Sequence, residues 1–390
     1  MTPVADALAA LFRLVTPLTT EDVPLTQAAG RTLARPLQAR RDQPPFSASA
    51  MDGYAVRSGD VALGATLTVI GEAAAGHGFD GTVNAGQAAR IFTGAPLPAG
   101  ADRVVIQEDV TRSGDQITIS DQPSDNHNIR PLGADFRVGD TLSAPRVLTP
   151  SDVALIAAMN IAQVPVTRRP IVAIIATGDE LVQPGETPGP DQIIASNSYG
   201  LHALVTATGA QARLLPIAGD TLDEIRQVFE LAHGADLILT IGGASVGDHD
   251  LVGPAAQSLG MERAFYKVAM RPGKPLMAGK LGDAMMIGLP GNPVSAMVCG
   301  HVFVAPVLRA MLGLAHRPAP RITARLAAPL SANGPREHYL RGFVGADGAT
   351  AFSKQDSSLL TVLSDANCLI VQPPNGPAQK TGEMVEILML

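Results

Sequence analysis

The chain has 390 residues, 46% of them hydrophobic and 17% charged, which excludes a disordered protein and predicts roughly two to four globular domains. A formal net charge of −7 argues against a nucleic-acid-binding protein, which normally carries a basic face. The two cysteines, Cys299 and Cys368, lie far apart and belong to no metal-binding motif. We therefore expect a cytoplasmic protein without disulfides or a structural zinc site.

The first part of the chain predicts a helix and then a β-rich domain. Val4, Leu8 and Leu11 fall at helical spacing, which indicates an amphipathic helix and not a signal peptide. Residues 41–137 alternate short apolar segments with Gly/Pro turns, as in a β-rich domain. A capped helix is expected between Leu148 and Asn160. We expect it to pack against the first helix, giving a discontinuous helical domain from residues 1–40 and 138–168.

Strands and helices alternate over residues 169–316, which predicts a doubly wound α/β domain with a parallel sheet. Its first strand, Ile171–Ala176, is a continuous apolar run, as expected for a strand buried on both faces. The apolar stretch from Val294 to Ala315 is interrupted by His301, Pro306 and Arg309, so it predicts a buried helix and not a membrane span. Residues 317–390 return to short strands with glycine turns and predict a small β-barrel or sandwich.

Glycine-rich loops follow four of the predicted α/β strands, and their sequences are TGDEL, AGD, GGASVGDHD and LPGNPVSA. Because ligands bind at the carboxyl ends of parallel strands, these loops are expected to meet in one site. Glycines allow close approach of the backbone, and free amides at a helix N-terminus bind anions. A phosphorylated ligand fits this combination best, although each loop alone could be an ordinary strand-to-helix turn.

Carboxylates in the same loops predict a magnesium site. Asp179, Glu180, Asp220, Asp248 and Asp250 supply the hard oxygen ligands that Mg²⁺ prefers beside phosphates. Two of them have simpler alternatives, because Asp220 could cap its helix and Asp179 could serve only as a turn residue.

A cationic segment, FYKVAMRPGKP, follows later in the chain and carries Lys267, Arg271 and Lys274. The first two lie beside apolar residues typical of a strand, which predicts that they contact an anion. A solvated face remains the alternative. One further carboxylate, Asp52, stands in the uncharged run SASAMDGYAV, where Asp-Gly predicts a turn.

A resemblance to a known family is carried by six motifs, taken together and in order: SAMDGYAVR, IFTGAPLPAGADRVV, TGDEL, GGASVGDHD, KVAMRPGKP and LPGNPVSA. The chain resembles the molybdopterin molybdenumtransferase family, which includes the bacterial molybdenum-insertion protein and is related to the gephyrin E domain. The resemblance extends over nearly the whole chain. It implies four domains: the helical domain, the β-rich domain, a pterin-binding α/β domain and a C-terminal β-barrel.

The resemblance also implies an activity. Adenylylated molybdopterin and molybdate would react, with Mg²⁺ assisting, to give molybdenum cofactor and AMP. Members of the family are homodimers whose site lies between the α/β domain of one subunit and the β-rich domain of the other. A molybdopterin adenylyltransferase and molybdoenzyme maturation factors are the expected partners, whereas nucleic acid and membranes are not.

The site residues implied by the resemblance fall into four groups. Asp52 and Thr93 would face the site from the partner subunit, and Lys267 and Arg271 would bind the anion. Glu180, Asp220 and Asp250 would hold the metal or the pyrophosphate region. Ligand-binding positions would be Thr177, Gly178, Asp179, Gly242, Gly243, Ser245, Gly247, Pro290, Gly291, Asn292 and Pro293, with Arg130, Asp135, Arg341 and Ser357 as further candidates.

Four positions depart from the family pattern. Ala48 stands where the family usually has asparagine, and Pro131 and Ala134 replace polar residues. Arg271 occupies a position that is more often lysine, and its guanidinium binds oxyanions with a different geometry.

Three other functions remain open from the sequence. The same α/β scaffold would serve a molybdopterin adenylyltransferase that uses ATP, although that reaction does not require the two β-rich domains. The chain could also be a non-catalytic molybdopterin-binding carrier or scaffold. A nucleotide pyrophosphatase sharing only the α/β domain is a more distant alternative.

Overall fold

A computed structural model describes residues 1–122, 125–243 and 251–390. Its contacts divide the chain into two units. The larger unit comprises Met1–Glu21, Gly30–Ala34 and Val166–Leu390, and the smaller comprises Asp22–Ala29 and Arg35–Pro165. The chain therefore passes from one unit to the other four times, at 21/22, 29/30, 34/35 and 165/166.

The described helices are α1 Val4–Leu14, α2 Pro150–Ala158, α3 Ser196–Ala207, α4 Leu222–Leu231, α5 Val252–Ser258, α6 Pro293–Cys299, α7 Ala305–Met311 and α8 Leu360–Asp365. Short 3₁₀ turns occur at Leu25–Gln27, Ser58–Asp60 and Gln107–Asp109, and a π-helical turn at Gly300–Val304 joins α6 to α7.

The strands of the first part of the chain are β1 Thr20–Pro24, β2 Thr32–Leu33, β3 Leu37–Gln38, β4 Ala48–Ser49, β5 Gly53–Val56, β6 Thr66–Ala73, β7 Gln87–Ile91, β8 Arg103–Ile106, β9 Val110–Ser113, β10 Gln116–Ile119, β11 Ile129–Arg130, β12 Thr141–Leu142, β13 Arg146–Val147 and β14 Gln163–Thr167. Those of the second part are β15 Ile171–Ala176, β16 Leu181–Val182, β17 Ile193–Ile194, β18 Gln211–Leu214, β19 Leu237–Ile241, β20 Glu262–Tyr266, β21 Met270–Arg271, β22 Met277–Leu281, β23 Ala284–Leu289, β24 Arg321–Arg325, β25 Glu337–Gly345, β26 Gly348–Ala351, β27 Cys368–Gln372 and β28 Met384–Met389.

The α/β domain is built on a six-stranded sheet in the order β18-β15-β19-β23-β22-β20. Strands β18, β15, β19 and β23 are parallel, as predicted, and β15 is buried on both faces. Strand β22 alone runs opposite to the other five, pairing antiparallel with both β23 and β20, so the predicted parallel sheet is only partly correct. The cause is a tight hairpin at residues 281–284, because two antiparallel strands need no crossover helix.

The predicted helices of this domain are present. The side chain of Thr221 caps α4 by accepting a hydrogen bond from the Glu224 amide at 3.2 Å, which fixes where that helix begins. The continuous helical stretch Pro293–Met311 is long and apolar enough to cross a membrane, but 78% of its most apolar window is buried in this protein. It is the core helix that the sequence predicts.

The two helices expected to form a helical module belong to different units. The apolar face of α1, which includes Val4, Leu8 and Leu11, is buried in the same core as β15 and α7 of the larger unit. Helix α2 belongs to the smaller unit and begins after Thr149, whose side chain accepts a hydrogen bond from the Asp152 amide. The expected packing of the two helices and the division into four domains stay predictions. Asn160 follows α2 with φ 64°, the left-handed conformation expected there.

The smaller unit is centred on a six-stranded sheet in the order β8-β5-β7-β6-β10-β9, which confirms the β-rich reading of residues 41–137. Strand β5, the end of the SASAMDGYAV motif, lies between β8 and β7 and is buried along its length.

The strands of the last part of the chain close into a barrel. Strands β25, β27, β28 and β24 follow one another in the sheet, and β26 pairs with β25. The closure is made just after β24, where the Ala327 amide donates to the Ala349 carbonyl of β26 at 2.9 Å. Apolar side chains, among them Leu340, Ile370 and Ile387, fill the interior.

Candidate active site

A cavity of the larger unit lies at the carboxyl ends of β15, β19 and β23 and has a volume of about 670 Å³. This is the edge of the sheet where the glycine-rich loops were expected to meet. It is lined by Ala176, Thr177, Gly178, Glu180, Leu181, Ile193, Ile194, Ala195, Ser196, Asn197, Ser198, Asp220, Ile241, Gly242, Gly243, Pro275, Pro290, Gly291, Asn292, Pro293 and Ser358.

The loop after β15 is tied to both neighbouring strands. Thr177 is buried, and its amide donates to the Ile241 carbonyl at 3.1 Å. The next amide, of Gly178, donates to the Ala218 carbonyl at 3.0 Å. Because its backbone is fixed from both sides, this loop presents Glu180 to the cavity in a defined position.

Asp179 and Asp220 join two of the loops by reciprocal hydrogen bonds. The Asp220 amide donates to the Asp179 carboxylate at 3.0 Å, and the Asp179 amide lies 3.4 Å from the Asp220 carboxylate. Helix α4 is capped by Thr221 instead, so Asp220 is not its cap. Asp179 acts as a loop-to-loop tie and is absent from the cavity lining, while Asp220 is part of it.

Two of the three predicted metal ligands, Glu180 and Asp220, share this cavity. Within residues 1–122, 125–243 and 251–390, no group of three or more His, Cys, Asp or Glu side chains is placed to hold a metal ion. The third ligand, Asp250, lies outside the described residues, as do Asp248, Ser245 and Gly247 of the same loop. The described part of the site thus offers two carboxylates to a cation.

The loop before α6 lies in the cavity wall with all four of its predicted residues, Pro290 to Pro293. The Gly291 carbonyl accepts a hydrogen bond from the Asn197 side chain at 2.7 Å, which ties this loop to the first turn of α3. Pro293 has no amide hydrogen, and the Val294 amide donates to the Ser357 carbonyl at 3.1 Å. The first amide of α6 is therefore used within the protein, which differs from its expected role in anion binding. Ser357 takes part through this carbonyl, and the side chain that lines the cavity belongs to Ser358.

The two predicted anion-binding cations follow β20. Lys267 lies just beyond the strand with φ 64°, and its ammonium group is 5.0 Å from the centre of the Tyr266 ring. Arg271 belongs to β21, which pairs with β25 so that Arg271 lies opposite His338. Neither cation is among the residues that line the cavity.

Arg341 is fully buried and lies within electrostatic reach of Arg271. One guanidinium nitrogen, Nη2, donates to the Asp356 carbonyl at 3.1 Å. The other two, Nε and Nη1, have no partner among the described residues. Burial and the charge of Arg271 lower the pKa of Arg341. A buried guanidinium with two unused donors beside a second cation favours binding of an anion.

The same cations act on His338, which is buried on β25. Burial lowers its pKa to about 4, and the charges of Arg271, Arg341 and Arg336 add to the effect. His338 is therefore neutral near pH 7 and adds no charge to this cationic region.

In the smaller unit, Asp52 and Thr93 are direct partners. One carboxylate oxygen of Asp52 accepts hydrogen bonds from both the amide and the hydroxyl of Thr93, each at 2.8 Å. These bonds, and to a smaller extent the charge of Arg90, lower the pKa of Asp52. Asp52 is thus a fixed carboxylate that stays ionised, and its second oxygen has no partner among the described residues.

The bend that presents Asp52 is held from several sides. The Asp52 carbonyl accepts from the Gln107 amide at 3.1 Å, and the Gly53 carbonyl accepts from the Arg90 side chain at 3.1 Å. Gly53 has no room for a side chain, because a Cβ atom there would overlap the carbonyl oxygen of Val105 on the neighbouring strand β8. The glycine after Asp52 thus allows strands β5 and β8 to approach each other closely.

Arg130 and Asp135 are exposed residues of the smaller unit. Arg130 pairs in register with Ala48, one of the positions that depart from the family pattern. The Asp135 amide donates to the Gln43 carbonyl at 2.9 Å, which holds its loop against the start of the β-rich segment. Neither is brought together with Asp52 by a hydrogen bond among the described contacts.

Sequence reasoning missed part of the cavity wall. Asn197, Ser196 and Ser198 come from the first turn of α3, and the exposed side chains of Ile193 and Ile194 come from the short β16–β17 pair. No glycine or charge marks this segment. Only its position in the chain could have indicated a role in the cavity, because it lies between the TGDEL loop and the first helix of a parallel α/β unit.

Family models match nearly the whole chain. Residues 2–160 match the MoeA N-terminal region (domain I and II), residues 173–310 a probable molybdopterin binding domain, and residues 323–390 the MoeA C-terminal region (domain IV). These matches fall on the β-rich, α/β and barrel parts of the fold.

Full-length relatives agree with the family models. A molybdopterin molybdenumtransferase of Nostoc sp. is 38% identical, with 100% of this chain and 94% of that protein aligned. One of Haemophilus influenzae is 36% identical over 97% of this chain and 95% of the relative. The crystal structure of the molybdopterin biosynthesis MoeA protein from Pyrococcus horikoshii OT3 matches with a TM-score of 0.87 at 29% identity, and all of both chains is covered. On this evidence, the chain belongs to the MoeA family of molybdopterin molybdenumtransferases.

Proposed function

We propose that this protein inserts molybdenum into adenylylated molybdopterin, releasing AMP and giving molybdenum cofactor. The observation that carries the proposal is the cavity at the strand ends, where Glu180, Asp220 and four loop segments meet in a chain that matches molybdopterin molybdenumtransferases along its whole length. A volume of about 670 Å³ lies in the range of sites that enclose small organic ligands, roughly 300–1,000 Å³.

The ligand's pyrophosphate is proposed to lie beside Glu180 and Asp220. Glycines at positions 178, 242, 243 and 291 keep the walls close to the backbone there, so phosphate oxygens can approach main-chain groups. The Asp179–Asp220 tie joins the loops after β15 and β18 before the ligand binds, and the Asn197–Gly291 bond joins the loop before α6 to the first turn of α3. Such preorganisation favours attack by a water or molybdate oxygen on the phosphorus attached to the pterin, which forms a new P–O bond there, breaks the P–O bond between the two phosphates and releases AMP.

The carboxylates of Glu180 and Asp220 fit a hard divalent cation, and Asp250 is the third proposed ligand. They would hold Mg²⁺, which supplies positive charge next to the pyrophosphate when bound. The test of this assignment is calorimetric titration with Mg²⁺, in which Glu180→Gln should weaken binding independently of any turnover.

The molybdate oxyanion is proposed to bind near Lys267, Arg271 and Arg341. Support comes from the two unpartnered nitrogens of the buried Arg341 guanidinium and from the electrostatic coupling of Arg341 to Arg271. The Asp356 carbonyl holds Arg341, and residues 356–358 continue from there to Ser358 in the cavity wall. Both cysteines are buried away from solvent, so the sulfur ligands of molybdenum belong to the pterin and not to the protein.

The active form is proposed to be a cytoplasmic homodimer in which Asp52 and Thr93 act on the cavity of the partner subunit. The support is the fixed, ionised carboxylate of Asp52, whose second oxygen has no partner among the described residues. A molybdopterin adenylyltransferase is the proposed supplier of the ligand, and molybdoenzyme maturation factors are its proposed recipients.

The decisive experiment mixes the protein with adenylylated molybdopterin, Mg²⁺ and molybdate, and follows AMP. We expect AMP release that depends on molybdate and that Glu180→Gln abolishes. ATP consumption without added adenylylated pterin would instead support an adenylyltransferase, and binding of the pterin without AMP release would support a carrier.

The shared site has its own test. Asp52→Asn and Glu180→Gln proteins are each expected to be inactive, and mixing them allows subunits to exchange. If each site combines two chains, random mixing restores about one quarter of native activity, because half of the dimers then contain one intact site. Sites contained within single chains would give no recovery.

A further inference from the structure

Lys267 has a backbone conformation that a lysine rarely adopts. Its φ of 64° lies in the left-handed region, which is costly for residues with a side chain. Such a residue persists only where its surroundings impose the conformation. The contacts that impose it therefore bear on where the ammonium group points.

The segment from Lys267 to Arg271 is held from two sides. On one side, its second half pairs with β25: Arg271 lies opposite His338, and the Glu337 amide donates to the Ala269 carbonyl at 3.0 Å. Its first half lies next to the residues that precede α1. There the Thr2 amide donates to the Lys267 carbonyl at 3.0 Å, and the Ala269 amide donates to the Thr2 carbonyl at 2.8 Å.

These two bonds make Thr2 a one-residue strand, bridged in parallel to Val268. The Val268 side chain is fully buried, so the bridge is anchored on the core. The Lys267 amide is occupied as well, because it donates to the Leu276 carbonyl at 2.9 Å. Both main-chain groups of Lys267 are thus fixed, and the fixed carbonyl depends on Thr2.

We propose that Thr2 is a positioning residue for the oxyanion site: its backbone holds Lys267 in the left-handed conformation that directs the ammonium group to the anion. This inference rests on the proposed function, because it takes Lys267 as a ligand of molybdate. The Thr2 side chain has no part in it, since both bonds use main-chain atoms. Arg271 is held directly by β25, through its pairing with His338.

The chain offers a matched pair of variants to test this role. Thr2→Pro removes the amide hydrogen and places a ring carbon where the hydrogen bond to Lys267 runs. Thr2→Ala removes the side chain but keeps both backbone bonds. The full-length proteins are compared for molybdate binding by calorimetry and for kcat and KM in the AMP-release assay.

We expect Thr2→Pro to weaken molybdate binding by about threefold to tenfold, the effect of losing one hydrogen bond, while Thr2→Ala binds like the native protein. The apparent KM for molybdate should rise with kcat nearly unchanged, and the melting temperature should stay close to native. A general structural defect would lower kcat and the melting temperature together. If Thr2→Pro does not fold, a protein that begins at Pro3 lacks both backbone bonds and takes its place.

A double variant separates this inference from the proposed function. If Thr2 acts through Lys267, Thr2→Pro adds nothing to the loss already caused by Lys267→Ala. Additive losses would overturn the positioning role. Native molybdate binding by Thr2→Pro would also overturn it, provided that Lys267→Ala weakens molybdate binding. If Lys267→Ala itself binds molybdate normally, the proposed oxyanion site fails, and the role of Thr2 fails with it.

Discussion

Replacing Gly53 by alanine tests the packing behind Asp52. Gly53 is on β5 between β8 and β7, and an added methyl group would meet the backbone of β8. It would overlap the Val105 carbonyl oxygen and stand 2.9 Å from its carbon and 3.0 Å from the Ile106 Cα. These are main-chain atoms in a paired strand, so no side-chain rotation can relieve the overlap. Strands β5 and β8 must separate.

The expected cost is that of overpacking a buried site, about 1–3 kcal/mol, plus about 1 kcal/mol for each weakened strand hydrogen bond. Against this, alanine restricts the unfolded chain and returns about 0.4–1 kcal/mol. The net destabilisation of the smaller unit is therefore about 2 kcal/mol. Gly59→Ala is the matched control, because a Cβ there would have nothing within 4 Å.

Hydrogen exchange measured by mass spectrometry reports this loss on the affected strands. A destabilisation of about 2 kcal/mol makes amides that exchange through opening of this sheet exchange about 30-fold faster. Peptides from β5 and β8 should show the effect in Gly53→Ala and not in Gly59→Ala. AMP release should fall as well, because the displaced bend carries Asp52. Equal exchange in the two variants would refute the reasoning.

Three further predictions concern the larger unit. The pKa of His338 is lowered to about 4 from 6.5, so between these pH values the folded protein keeps it neutral while the unfolded chain takes up a proton. The stability of the protein should therefore fall as the pH decreases from 6.5 towards 4. In melting curves recorded at several pH values, His338→Gln should reduce this dependence of stability on pH. Cys299 and Cys368 are buried and their thiol pKa values are raised, so iodoacetamide should label neither in the native protein, and rapid labelling would contradict their placement. Asp236 accepts two hydrogen bonds from Arg168 and one from the Ile171 amide, so Asp236→Ala should destabilise the unit by about 2 kcal/mol in urea unfolding. The control is Asp223→Ala, which removes an exposed ion pair and should destabilise the unit by less than about 0.5 kcal/mol.

Much of the α/β domain follows from local sequence because its elements are long and strongly patterned. Strand Ile171–Ala176 and strand Ala284–Leu289 have the bounds that their apolar runs predict. The loops converge because parallel strands place their carboxyl ends on one edge, which is a property of topology and not of any single loop. The cavity residues Thr177, Gly178 and Glu180 could therefore be assigned without coordinates.

What local patterns do not encode is tertiary pairing. Helix α1 has an apolar face that would fit any apolar partner, and only the folded chain shows that this face packs on the α/β core. Nothing in the letters around Lys267 indicates a left-handed lysine held by Thr2, because the partners are more than 260 residues apart. The cavity role of Asn197 was missed for a similar reason, since its bond to Gly291 spans 94 residues.

The position of α1 also affects how the protein is synthesised. Its apolar face, with Val4, Leu8 and Leu11, is completed by a core that includes α7, which leaves the ribosome about 290 residues later. At about 5–20 residues per second, roughly 15 to 60 s pass in between. An 11-residue helix is marginal alone, so this apolar segment is exposed throughout that interval. The smaller unit is contained within the first 165 residues and can fold meanwhile, whereas the larger unit must wait for almost the complete chain. Chaperones that bind apolar segments therefore have their longest access to the first helix, and the segment that carries Thr2 reaches its place only at the end of folding.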